Sequence, residues 1–85
     1  MMTHEEQIII CAVRYALGRM SYIVGIVAEY VALRKPELSK ECINIIIRDI
    51  EDELKWYHDA GQTLGMECDE RTWLRLLEKL KGGAT

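Results

Sequence analysis

Apolar residues recur along this 85-residue chain at three- and four-residue intervals, and a single proline, Pro36, divides the pattern. Everything from about Thr3 to Arg34 is compatible with helix. Thr3 makes a good N-cap, and Glu5 and Glu6 in the first turn suit the positive end of the helix dipole. Lys35, preceding proline, is biased out of the helical region, so the first helix is expected to stop there after about 45 Å. Ser39 then reads as the N-cap of a second helix, with Leu38 packing on Ile43 as a hydrophobic staple. Ile43, Ile46, Ile47, Ile50, Leu54 and Tyr57 form one apolar stripe, while Ile45 lies off it and marks a second contact. Gly61 serves as the residue just past this helix, and a loop is expected through Cys68. Asp69 caps a third helix whose buried face is Trp73, Leu76, Leu77 and Leu80. The expectation is a single all-α domain over residues 1–85, a small helical bundle with one long N-terminal helix. Its helices span about 3–34, 40–60 and 70–81, and it is oligomeric through the long helix.

That first helix is not cleanly amphipathic. Ile9, Val13, Ala16, Met20, Val27 and Val31 cover one side, and Tyr15, Tyr22, Ile26 and Leu33 another. Between them runs a narrow strip of Gln7, Arg14, Gly18, Ser21, Gly25, Ala28 and Ala32, most of them small. Each glycine inside a helix costs about 1 kcal/mol relative to alanine. Close approach of another backbone, or of a ligand, would offset that cost. Ser21, Gly25 and Ala28 are therefore read as interface residues of a helix that must be buried nearly all round.

Composition sharpens the picture. A chain this short buries only about 60–65% of its unfolded surface, yet 49% of its residues are hydrophobic. Association with further copies would enlarge the core. Cys11, Cys42 and Cys68 cannot all pair and form no C-x-x-C, which suits a reducing, cytoplasmic compartment. The polar, acidic Met1–Glu6 stretch does not resemble a signal sequence. The longest uncharged apolar run, Met20 to Ala28, is far short of the ~20 residues that cross a bilayer. A net charge of −3 argues against direct nucleic-acid binding.

Chemistry concentrates in Arg14, Tyr15, Gly18, Arg19 and Tyr22. Arginine presents a planar fork suited to phosphate, and tyrosine a flat face plus a hydroxyl. This pattern points to ligand binding, with Gly18 permitting close approach. Arg14 and Arg19 lie about 140° apart on a helical wheel, so one copy cannot clamp an anion with both. Residues from two copies could converge. The alternative is that each arginine pairs with an acid, with Glu29, Glu51 and Asp52 as candidates.

Elsewhere the signals are weaker. His58 and Asp59 point about 100° apart and do not face each other. Cys42 falls at the N3 position, where a helix dipole lowers thiol pKa, but no base is placed beside it. Histidines and cysteines lack metal-ligand spacing, and Gly61–Gly65 lacks the lysine of a phosphate-binding loop. No catalytic residue, metal or cofactor is expected. Asp49, Glu51, Asp52 and Glu53 form either a solvated face or a mimic of nucleic-acid phosphate. Trp56 beside them would be an interface anchor if exposed, so Trp56, Asp49 and Asp52 are candidates for contact with a protein partner.

The segments Cys11–Tyr22, Ile47–Glu51 and Gly65–Trp73 resemble small proteins encoded by phages and prophages of Gram-positive bacteria, over most of the chain. The resemblance brings no activity and no site residue with it, but it implies an accessory role against host immunity. The first expectation is a non-enzymatic anti-defence protein that sequesters a phosphate-bearing immune signalling nucleotide at an oligomer interface. Such a ligand would be a cyclic nucleotide or a cyclic ADP-ribose derivative. The alternatives are an anti-CRISPR protein that binds a Cas effector, a host defence protein, directly, and a structural or regulatory helical dimer.

Overall fold

Thr3 opens the first helix with both halves of a capping box. Its side chain accepts from the Glu6 N–H at 3.1 Å, while Glu6 Oε1 accepts the Thr3 N–H at 3.0 Å. In the computed structural model, which describes residues 2–19, 21–61 and 67–82, this helix, α1, spans His4–Ala16. It does not continue to Arg34 as expected. Leu17 leaves the helix at φ −60°, ψ 126°, Gly18 takes φ +84°, and the Arg19 N–H donates to the Ala16 carbonyl at 2.9 Å. This is a type II turn, whose third residue needs positive φ and therefore favours glycine. Gly18 thus offsets its cost by making a turn, not by admitting a neighbour to a helix surface. The chain resumes as α2, Ser21–Arg34. Because the helix is broken, the strip from Gln7 to Ala32 is not one face, and only its Gly25–Ala28–Ala32 part stays together.

The proline lies in a 3₁₀ turn, Lys35–Glu37. Ser39 caps α3, Lys40–Asp59, accepting the Cys42 N–H at 3.2 Å. Gly61, at φ +73°, follows that helix as expected. The last helix, α4, spans Glu67–Leu80 and closes at Gly82, φ +75°. It starts earlier than expected, so Cys68 and Asp69 lie inside the helix and not in a loop or at a cap. The rest of the expected loop, 62–66, lies outside the described residues, as does Met20.

Among the described residues there are four α-helices and no strand, and no helix is long and apolar enough to cross a membrane. Their packing makes a ring, with α1 against α2 and α3, and α4 against the same two. Val13 and Ala16 of α1 meet Val24 and Val31 of α2, Ile46 and Ile50 of α3, and Trp73 of α4 at its centre, each at most 1% exposed. Full burial of one such large apolar side chain contributes about 1.5–3 kcal/mol. The α4 face is buried as its spacing predicts. Most of the α3 stripe is half-buried around Ile46 and Ile50, and Cys42 joins them in the core.

The α2 helix is only partly buried within one copy. Val24, Ala28 and Val31 turn inward, but Tyr22, Ile26, Tyr30 and Leu33 are 48–79% exposed. Apolar residues all round the helix do not mean burial all round within one copy. Two polar ties hold the ends. Glu6 Oε2 accepts the Ser39 N–H at 2.6 Å, so one buried carboxylate serves the starts of both α1 and α3. Arg34, ending α2, pairs with Glu5 and Glu37.

Candidate functional site

The expected ligand cluster is divided by the turn. Arg14, near the end of α1, reaches across to α3 and donates through Nε to Asp49 Oδ2 at 2.8 Å. That hydrogen bond, reinforced by the Asp49 charge, raises the arginine's pKa further above its usual value. Arg14 is therefore engaged by an acid, though not by any of the three that the sequence suggests. Of those, Glu51 pairs with Lys81 and Glu29 makes no ion pair among the described residues. Arg19, just past the turn, lays its guanidinium over the Tyr15 ring, 4.6 Å from the centroid. An exposed cation–π contact of this kind is worth about 0.5–1 kcal/mol. Tyr22 stands on α2 beyond the turn and is 79% exposed. Gly18 itself faces Tyr57 of α3: a β-carbon there would lie 3.4 Å from the tyrosine hydroxyl.

Electrostatics weigh against an anion at Arg14. A crevice of about 230 Å³ beside it is lined by Leu17, Asp49, Asp52 and Glu53. A phosphate entering there would meet three carboxylates and one guanidinium that is already paired. Each unit charge pair at about 4 Å is worth roughly 1 kcal/mol even in water, so the balance is repulsive.

The same crevice belongs to a continuous flank of α3. Ile45, Asp49, Asp52, Trp56 and Asp59 follow one another at four- and three-residue steps, which places them along one side of the helix for about 20 Å. Trp56 is 60% exposed, while the second tryptophan, Trp73, is fully buried. The indole is braced edge-on against Tyr57, with ring centroids 4.9 Å apart. Arg14 is the cation that meets this flank through Asp49.

Cys42 does not behave as its helix position alone suggests. Burial pushes the thiol up to about 11, with the Glu6 and Glu41 charges adding to the effect. Desolvation outweighs the dipole, and the side chain is a core residue. Among the described residues no three His, Cys, Asp or Glu side chains are grouped to hold a metal.

The other expected interface residues fall between α2 and α4. Gly25 and Ala28, with Ala32 and Leu76, floor a groove of about 280 Å³. Glu29 and Leu33 form one rim, and Arg75 and Lys79 the other. Ser21 begins α2, and its side chain lies outside what the structure describes. The basic rim escaped the sequence reading because nothing in α4 alone says which helix its polar edge will adjoin. Glu6 was legible only in half. Its spacing from Thr3 is local, whereas Ser39 is 33 residues away.

No protein-family model, no curated protein and no solved structure matches this chain.

Proposed function

We propose that this chain is a non-catalytic binding protein whose target is another protein, met by the acidic flank of α3 with Trp56 as the anchor. The observation that carries this reading is Trp56 itself, a large aromatic held out at 60% exposure on the longest helix. Exposed, rigidly held tryptophans are favoured anchors at protein interfaces. Asp52 and Asp59 on either side suit a basic rim on the target, where charge complementarity speeds encounter and sets orientation. The resemblance to phage and prophage proteins makes a host defence protein, such as a CRISPR effector, the class of target we favour.

The test is photo-crosslinking in the bacterial host, with benzoylphenylalanine replacing Trp56 or, as a control, exposed Arg71. A single heterologous protein adduct at position 56, absent at 71 and lost with Asp52→Lys, is the expected result. No adduct at position 56 would sink the reading. Sequestration of a phosphate-bearing nucleotide is the second reading, favoured by the exposed Arg19–Tyr15 pair. It predicts that protein purified gently from the host carries extra mass of a few hundred daltons in a native mass spectrum, on the order of one nucleotide-sized ligand. Arg19→Ala would remove that mass.

A further inference from the structure

The groove between α2 and α4 lies on a different pair of helices from the acidic flank, and it is built asymmetrically. One rim carries a single acid, Glu29, with Leu33, and the exposed Tyr22 and Ile26 lie beyond it on the same side of α2. The opposite rim is basic, with Arg75 and Lys79, and the floor is made of Leu76 and the small residues Gly25, Ala28 and Ala32. Neither Glu29, Arg75 nor the Lys79 side chain makes an ion pair among the described residues.

Gly25 supplies an independent observation. It sits inside α2 with ordinary helical geometry, so no turn requires it, unlike Gly18. A β-carbon there would meet nothing within 4 Å, so packing within the chain does not require it either. A glycine in mid-helix is nonetheless unfavourable relative to alanine. The room it leaves opens outward, into the groove, and close approach of something outside this copy accounts for it.

We propose that this groove is where a second copy of the chain docks, in a two-fold dimer. An axis running along the groove lays the Glu29–Leu33 rim of each copy over the Arg75–Lys79 rim of the other. The contact is therefore made twice, as a two-fold interface requires. Glu29 of one copy meets the basic pair of the partner subunit. Leu33 and Ile26, exposed at 71% and 55% in the single chain, leave water. Gly25 lets the partner's rim approach the α2 backbone. The occupant is the chain itself because its own surface carries both halves of the charge pattern in reach of one groove. The dimer does not depend on what Trp56 binds, and it leaves the α3 flank uncovered.

Analytical ultracentrifugation of the full chain and its variants tests this, with helical circular dichroism confirming that each variant folds. The wild-type protein should sediment as a dimer. Glu29→Arg sets like charges face to face, and so does the double substitution Arg75→Glu with Lys79→Glu. Each should raise the dimer dissociation constant at least about tenfold. Mixing the two variants restores opposite charges at both symmetric contacts, so the mixture should form a heterodimer that neither makes alone. Gly25→Leu, whose β-carbon meets no atom within 4 Å in its own chain, should also yield monomers. A wild-type protein that stays monomeric at millimolar concentration would overturn the proposal. So would a dimer indifferent to Glu29→Arg and Gly25→Leu, because its interface would then lie on another face.

Discussion

Glu6 accepts the Thr3 N–H on one oxygen and the Ser39 N–H on the other, so its charge is shared by the first turns of two helices. The hydrogen bond from Ser39, and then that from Thr3, lowers its pKa below the ordinary 4.5. A carboxylate depressed by folding contributes stability above its unfolded pKa, and that contribution is lost as pH falls through the folded value. The wild-type melting temperature should therefore drop on acidification below about pH 4.5 more steeply than that of Glu6→Gln. The variant, already short of an acceptor, should melt lower at pH 7. Circular dichroism melts from pH 7 to 3 would show this, and parallel curves for the two proteins would remove Glu6 from the account. At this scale the sequence shows local pairs and hides distant ones. Thr3 and Glu6 are three apart, but Arg14 finds Asp49 across 35 residues, and spacing alone cannot rank Asp49 above Asp52.

Among the elements, α3 and α4 were legible because each has one apolar stripe with polar residues elsewhere. Their cores, Ile46 and Ile50 in one and Trp73, Leu76, Leu77 and Leu80 in the other, follow from that spacing. The break between α1 and α2 was not legible, because every neighbour of Gly18 tolerates a helix and a lone glycine is only mildly unfavourable in one. What decides it is tertiary: the turn brings α2 back along α1, and Tyr57 Oη sits against the glycine. Gly18→Ala should thus destabilise the fold by about 1–2 kcal/mol, the cost of a left-handed backbone with a β-carbon. The midpoint of a guanidinium denaturation curve would register it, and an unchanged midpoint would mean the turn tolerates a side chain. What covers the exposed side of α2 was not legible for a different reason. An apolar pattern states that a face avoids water, not which chain covers it.

At the scale of the whole fold, the four helices of the described residues close around one core while α2 leaves Tyr22 and Leu33 more than two-thirds exposed. If that face is covered by a second copy, the native state is stabilised by mass action, and the melting temperature must rise with protein concentration. Melts spanning a hundredfold range should show the rise in the wild-type protein and lose it in Gly25→Leu. A flat dependence in the wild type would mean that the single chain is the folding unit.

The turn at Gly18 also governs which chain α1 belongs to. Only residues 17–20 separate α1 from α2, and a chain that kept helical geometry through them would run from His4 to Arg34 as a rod of about 45 Å. Its α1 half would then project away from the rest of its own core. Ile9, Ile10 and Val13 could leave water only by entering the vacancy in a neighbour, which would lend its own α1 in return. Such exchange is a low-cost route to entangled dimers when a hinge straightens. One missing β-carbon therefore keeps each copy folded on itself.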